Sequence, residues 1–138
     1  MNLYIDIDGV LLTTKQSRVS DHALPFIDFV TNHFDCFWLT THCKGDNTTA
    51  IKYLAKYFEG NTLDQLKKIK ATDWTTLKTD AIDFSSEFCW LDDSPFQSEI
   101  NILDKNSGID KLIIVDLNRT DELKRVINLL KIKTLQPL

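Results

Sequence analysis

The chain has 138 residues, with 16 Lys plus Arg against 20 Asp plus Glu and a formal net charge of -4. That length suits a single domain. Hydrophobic residues at 43% and charged residues at 26% exclude a disordered chain, and four glycines with three prolines exclude a collagen-like or low-complexity one. The acidic balance excludes a broad nucleic-acid-binding face, which needs a basic excess, though not a nucleotide or strand end held locally. Three cysteines without a CxxC pair make neither a disulfide framework nor a zinc ribbon. Asp6 and Asp8 near the N-terminus are foreign to a signal peptide, and no apolar run nears the ~20 residues that cross a bilayer. A cytoplasmic protein with no membrane contact is expected.

Leu3-Tyr4-Ile5-Asp6-Ile7 predicts a strand that feeds a sharp turn at Asp8-Gly9. Residues 13–20 are polar and predict an exposed excursion. Ser20 or Asp21 then caps a helix with Pro25 in its first turn and Leu24, Ile27, Phe29, Val30 and Phe34 inward. Cys36-Phe37-Trp38-Leu39 is a continuous apolar run, as expected of a parallel strand covered on both faces, and ends at Thr40-Thr41-His42. Asp46 or Asn47 caps the next helix, with Ala50, Ile51, Leu54, Ala55 and Phe58 inward and Gly60 as its stop. A short helix over 62–69 and a weak strand over 69–72 follow. Residues 78–84 predict one or two helical turns.

Phe88-Cys89-Trp90-Leu91 predicts another buried strand, ended by Asp92-Asp93-Ser94-Pro95. A helix over 96–103, a strand over 111–115 and a last helix from about 120 to 130 complete the chain. Leu123, Val126, Ile127 and Leu130 are its inward positions. Strands that alternate with helices predict a three-layer α/β/α, Rossmann-like parallel sheet in one domain over 1–138. Ligands of such sheets bind beyond the carboxyl ends of the strands. Asp6 and Asp8, Thr40 and Thr41, and Asp92 and Asp93 therefore share one edge. The remaining aromatic and sulfur residues are expected in the core (Trp38, Trp90, Cys36, Cys89) or packed (Trp74), with Cys43 close to the edge.

Four carboxylates gathered there repel; two at 4 Å do so by about 4 kcal/mol at an effective dielectric of about 20. A divalent cation relieves this, and an all-oxygen set selects Mg²⁺ over Zn²⁺. Such an ion beside a nucleophilic carboxylate suits phosphoryl transfer. Asp6 would attack phosphorus, Asp8 would protonate the leaving oxygen and later activate water, and Lys78 with the Thr40 hydroxyl would hold phosphate oxygens. A calcium loop would need further acids and a Glu twelve from the first, which Arg18, Val19 and Ser20 do not supply.

Asp6-Ile7-Asp8-Gly9-Val10-Leu11, Thr40 after Phe37-Trp38-Leu39, Lys78, and Asp92-Asp93 after Trp90-Leu91 together resemble the haloacid dehalogenase (HAD) superfamily of phosphohydrolases. The segments around Trp38 to His42 and Trp90 to Asp93 are similar to the small HAD domains found near RNA-repair proteins. The resemblance implies a HAD-like fold and an aspartyl-phosphate intermediate. It implies Asp6 as nucleophile and Asp8 as acid and base, with Thr40 or Thr41 and Lys78 as phosphate ligands. It implies Mg²⁺ held by Asp6, Asp8, Asp92 and Asp93. Neither gap that holds a cap domain in this family has room for one here, so an open site is expected. It would suit a nucleotide, a nucleic-acid end or a phosphoprotein. A phosphate-binding or regulatory domain with little turnover is the alternative.

Overall fold

The computed structural model describes residues 1–135. Four strands, β1 (Asn2–Ile5), β2 (Asp35–Trp38), β3 (Phe88–Asp92) and β4 (Leu112–Ile114), form one sheet in the order β2-β1-β3-β4. Every neighbouring pair is parallel, with Ile5 opposite Trp38 on one side and Leu91 on the other. The helices are α1 (Ala23–His33), α2 (Thr48–Leu54), α3 (Gly60–Lys67), α4 (Gln97–Lys105) and α5 (Glu122–Leu135). The expected parallel α/β sheet flanked by helices is therefore present.

Successive strand residues point to opposite faces, and the core divides accordingly. Leu3, Ile5, Cys36, Trp38, Cys89 and Leu91 pack on one face with Ala23, Ile27 and Val30 of α1, Leu66 of α3 and Leu123, Val126 and Leu130 of α5. Tyr4, Phe88 and Trp90 pack on the other with Leu39, Ile82 and Leu103 of α4. Both faces are covered, which is why the strand sequences run apolar without alternation. The weak strand expected over 69–72 survives as a single parallel bridge. Lys70 N–H donates to Cys36 C=O at 2.9 Å, and Trp38 N–H donates to Lys70 C=O at 2.8 Å.

Three local expectations are corrected. Ser20 does not cap α1; its hydroxyl donates to the carbonyls of Val10 and Leu11, both at 2.9 Å, and His22 at φ 66° takes the cap position. Leu24 is exposed, because the buried stripe of α1 runs through Ala23, Phe26, Ile27 and Val30. Gly60, at φ +57°, opens α3, while α2 has already ended at Leu54.

The polar excursion is a small hairpin. Leu12 bridges Val19 in antiparallel fashion, Thr13 N–H donates to Arg18 C=O at 2.8 Å, and Gln16 and Ser17 turn the tip at φ 66° and 43°. From β1 the chain passes to β2 on one side, then crosses back to β3 on the other. The crevice at that reversal is where such sheets bind ligands, and it lies between Asp6 and Asp92.

Candidate active site

Asp6 follows the last residue of β1, and its N–H still donates to Leu91 C=O at 3.2 Å. Asp92 is the last residue of β3. Pairing of the two strands therefore sets the carboxylates side by side. Lys78 joins them. Its ammonium donates to Asp6 Oδ2 at 3.0 Å and to Asp92 Oδ2 at 2.7 Å. The remaining oxygens take backbone donors, Ile7 N–H on Asp6 Oδ1 at 2.8 Å and Ser94 N–H on Asp92 Oδ1 at 2.9 Å.

Lys78 opens a 3-10 turn (Lys78–Ala81), and Glu99 anchors it. The buried Glu99 carboxylate accepts Lys78 N–H at 2.7 Å and, three residues back in its own helix, Phe96 N–H at 2.8 Å. The start of α4 and the base of Lys78 are thus fastened by one side chain. Glu99 is not among the residues expected at this edge from the sequence. Its signal is a glutamate at the third position of a helix, where it reaches back to the cap residue.

Asp93 completes the cluster. Asp6, Asp92 and Asp93 each offer an oxygen, and these atoms lie within 4.8 Å of one another. Gly9 makes the approach feasible. Its φ is +85°, and a Cβ built there would stand 2.2 Å from both Cγ and Oδ2 of Asp93. Two independent constraints, backbone and space, require glycine at that position.

Three carboxylates facing one ammonium are under-compensated. Burial first, and the neighbouring Asp92 second, raise the Asp6 pKa from 3.8 to about 7 against the pull of Lys78. Burial and Asp92 likewise push Asp93 upward. For Lys78, burial favours the neutral form, but Asp6 and Asp92 outweigh it and the net shift is upward. The donor set is all oxygen and short of positive charge, so it fits a hard divalent ion such as Mg²⁺.

Asp8 does not join this cluster, contrary to the expectation of four gathered carboxylates. The chain coils directly after Ile7, whose carbonyl accepts the N–H groups of Val10, Leu11 and Leu12. Asp8 is thereby turned towards the loop after β2 and towards α2. There His42 Nε2 lies 2.8 Å from Asp8 Oδ2, and the Tyr53 hydroxyl donates to Asp8 Oδ1 at 3.0 Å. The two rings stack, 4.1 Å between centroids and 14° between planes. Burial and the Asp8 contact push the Tyr53 phenol up to about 12, so it stays protonated and donates. Nothing in the sequence singled out Tyr53, and His42 stood out only as the residue after Thr40-Thr41 at the end of a strand.

Thr40 and Thr41 separate clearly. Thr40 is buried, and its hydroxyl oxygen accepts His42 N–H at 3.3 Å; Thr41 is exposed. Cys43 is fully buried, its thiol donates to Asp46 C=O at 3.3 Å, and burial raises its pKa. It has none of the character of a reactive thiol. Trp38 and Trp90 are core, as expected, and Trp74 packs at the edge of the second core with the Lys44 ammonium 4.5 Å from its ring centre.

The described residues contain no helix long and apolar enough to cross a membrane. No protein-family model, no curated protein and no solved structure matches the chain.

Proposed function

We propose that this chain is a Mg²⁺-dependent phosphomonoesterase that works through an aspartyl-phosphate, with the chemistry of the HAD superfamily it resembles in sequence. The observation that supports it best is the Lys78 ammonium set between Asp6 and Asp92 at the reversal of the sheet, with Asp93 beside them. One crevice holds three carboxylates and one ammonium, which would serve as the nucleophile, the metal ligands and the cation for phosphate oxygens.

In this reading an Asp6 oxygen attacks phosphorus, and the bond from phosphorus to the leaving oxygen breaks. Asp8 gives its proton to that leaving oxygen. Water then attacks the aspartyl-phosphate, Asp8 takes a proton from it, and inorganic phosphate leaves with Asp6 restored. Lys78 and the Thr40 hydroxyl balance charge on the phosphate oxygens. The Tyr53 phenol and the His42 ring keep Asp8 in one orientation between the two steps. Asp6, Asp92 and Asp93 would hold Mg²⁺, which when bound neutralises phosphate charge as a Lewis acid.

The test is hydrolysis of p-nitrophenyl phosphate with Mg²⁺ and with EDTA, for the native chain and for Asp6→Asn. Metal-dependent release of nitrophenolate, reduced to background in Asp6→Asn, is the expected result. Acid quenching during turnover should trap a phosphorylated chain. A native chain that binds phosphate without turnover would establish the regulatory alternative instead. Undiminished hydrolysis by Asp6→Asn would remove Asp6 as nucleophile.

A further inference from the structure

A cleft of about 800 Å³ lies between the hairpin of residues 13–20 and the segment that joins β4 to α5. It opens onto Gly9 and Asp93, so it is continuous with the carboxylate cluster. Its volume falls within the range of small-molecule sites, about 300–1,000 Å³. Two cations, Lys15 and Arg18, flank the hairpin tip on one wall, and Arg119 stands on the facing wall. All three are exposed.

The acids in the same cleft are largely engaged elsewhere. Glu122 accepts two hydrogen bonds from the Arg125 guanidinium, at 2.7 and 2.8 Å, and one from Asp116 N–H. Asp116 accepts Asn118 N–H at 3.0 Å and stands 3.8 Å from Arg119 Nε. Asp93 belongs to the cluster. Asp21 alone is left against Lys15 and Arg18, and neither of those cations has a carboxylate within ion-pair distance among the described residues. The lining sets Lys15, Arg18 and Arg119 against Asp21, Asp93, Asp116 and Glu122, and Lys15 and Arg18 are its two cations with no ion-pair partner among the described residues.

No aromatic side chain lines the cleft, so it offers nothing for a base to stack on. What it offers an incoming ligand is the pair of unpaired cations at the hairpin tip, Lys15 and Arg18, on one side of the carboxylate cluster. We propose that this cleft receives the leaving group of the substrate and selects leaving groups that carry a second phosphate. A nucleoside bisphosphate, a sugar bisphosphate and the phosphorylated end of an oligonucleotide share that chemistry. The inference rests on the phosphohydrolase reading for its orientation, since the transferred phosphate must sit at Asp6 for the cleft to hold the remainder.

Two measurements separate failure of the subsite from failure of that reading. The first is calorimetric binding to the Asp6→Asn chain, which needs no turnover. Adenosine 3′,5′-bisphosphate is compared with adenosine 3′-monophosphate, glucose 1,6-bisphosphate with glucose 1-phosphate, and a 3′-phosphorylated trinucleotide with the nucleoside monophosphate. Exposed ion pairs are individually weak, so two of them predict about tenfold tighter binding of the doubly phosphorylated member. That advantage should vanish in Lys15→Ala/Arg18→Ala and at about 0.5 M salt, and persist in Lys15→Arg/Arg18→Lys. The second is the ratio of kcat/KM within each pair for the native chain, which should follow the binding ratio. The pair with the largest ratio identifies the source of the second phosphate. Equal binding within every pair, or an advantage that survives in a folded Lys15→Ala/Arg18→Ala chain, overturns the subsite. Selective binding without turnover would retain the subsite and overturn the phosphohydrolase reading.

Discussion

Replacing Asp6 with Asn should change how the stability of the metal-free fold depends on pH. Asp6 has a folded-state pKa of about 7 against 3.8 for the free side chain, because burial and Asp92 disfavour its charge. Its folded value lies above its unfolded one. Between the two, the folded chain keeps a proton that the unfolded chain has lost, so stability falls as pH rises. The interval is about three pH units at about 1.4 kcal/mol each, or about 4 kcal/mol from this one group. Against a usual total of about 5–15 kcal/mol that is a large fraction. For a chain of this size it corresponds to about 14 °C in melting temperature.

Urea unfolding in EDTA from pH 4 to pH 8 measures this directly. The native chain should weaken steadily up to about pH 7 and then level. Asp6→Asn removes the titration but keeps an oxygen for Ile7 N–H, so its profile should be flatter by the same few kcal/mol, and it should overtake the native chain near neutrality. Carboxylates remote from the cluster contribute equally to both chains, and the difference between the two curves reports Asp6 together with Asp92 and Lys78, to which its charge is coupled. Mg²⁺ should restore the native chain above pH 7, because it binds the assembled carboxylates of the folded state and not the dispersed ones of the unfolded state. Parallel curves for the two chains in EDTA would refute the argument, since they would mean that Asp6 is ionised in the fold without penalty.

Three further outcomes are expected. Gly9→Ala should destabilise the fold by about 1–2 kcal/mol through its positive φ alone, and should also weaken Mg²⁺ stabilisation by displacing Asp93; melting curves with and without the ion measure both effects. Asp93→Ala should lose most of the Mg²⁺-induced rise in melting temperature while melting near the native value in EDTA, because it removes one of the cluster's three repelling groups. Tyr53→Phe, which deletes one of the two side-chain contacts on Asp8, should reduce kcat for alkyl phosphates more than for p-nitrophenyl phosphate, whose leaving group needs little protonation; equal losses would assign Tyr53 a packing role only.

Much of this architecture was legible because its signals are local. Apolar runs such as Phe88-Cys89-Trp90-Leu91 are too short for a helix and too continuous for a half-exposed strand, so they pointed to a covered parallel sheet. Asp6, Thr40 and Asp92 follow those runs, and parallel strands put their ends on one edge. What the sequence did not disclose depends on side-chain direction after a strand ends. Asp8 is two residues beyond Asp6 and would share its face if the strand continued, but the coil at Ile7 to Leu12 turns it towards His42 and Tyr53. The hairpin tip was equally hidden. Gln16 and Ser17 hold left-handed backbone angles that usually announce themselves with Gly or Asn. Ser20 looked like a helix cap because serine is favoured there, yet its hydroxyl serves the carbonyls of Val10 and Leu11 at the base of that hairpin.

The cluster works against the stability of its own fold, and the surrounding residues hold it in place nonetheless. Lys78 alone could be accommodated by one carboxylate, yet it is set between two, and its backbone is fastened by a buried glutamate from a separate helix. Gly9 adopts an angle that other residues avoid, and Asp93 occupies the space that a Cβ would need. Lys78 offsets only part of the repulsion, since Asp6 stays raised against its pull, and the Gly9 turn lets Asp93 come closer still. Local choices that oppose stability while the rest of a sequence agrees with its fold are expected at functional sites, which agrees with the chemistry proposed for this cluster. On that reasoning the informative residues are the supports as much as the carboxylates. In the phosphohydrolase proposed above, Glu99 and Gly9 would touch no reacting atom, but without them Lys78 and Asp93 would be free to relax away from Asp6, and the charge imbalance among the carboxylates would dissipate.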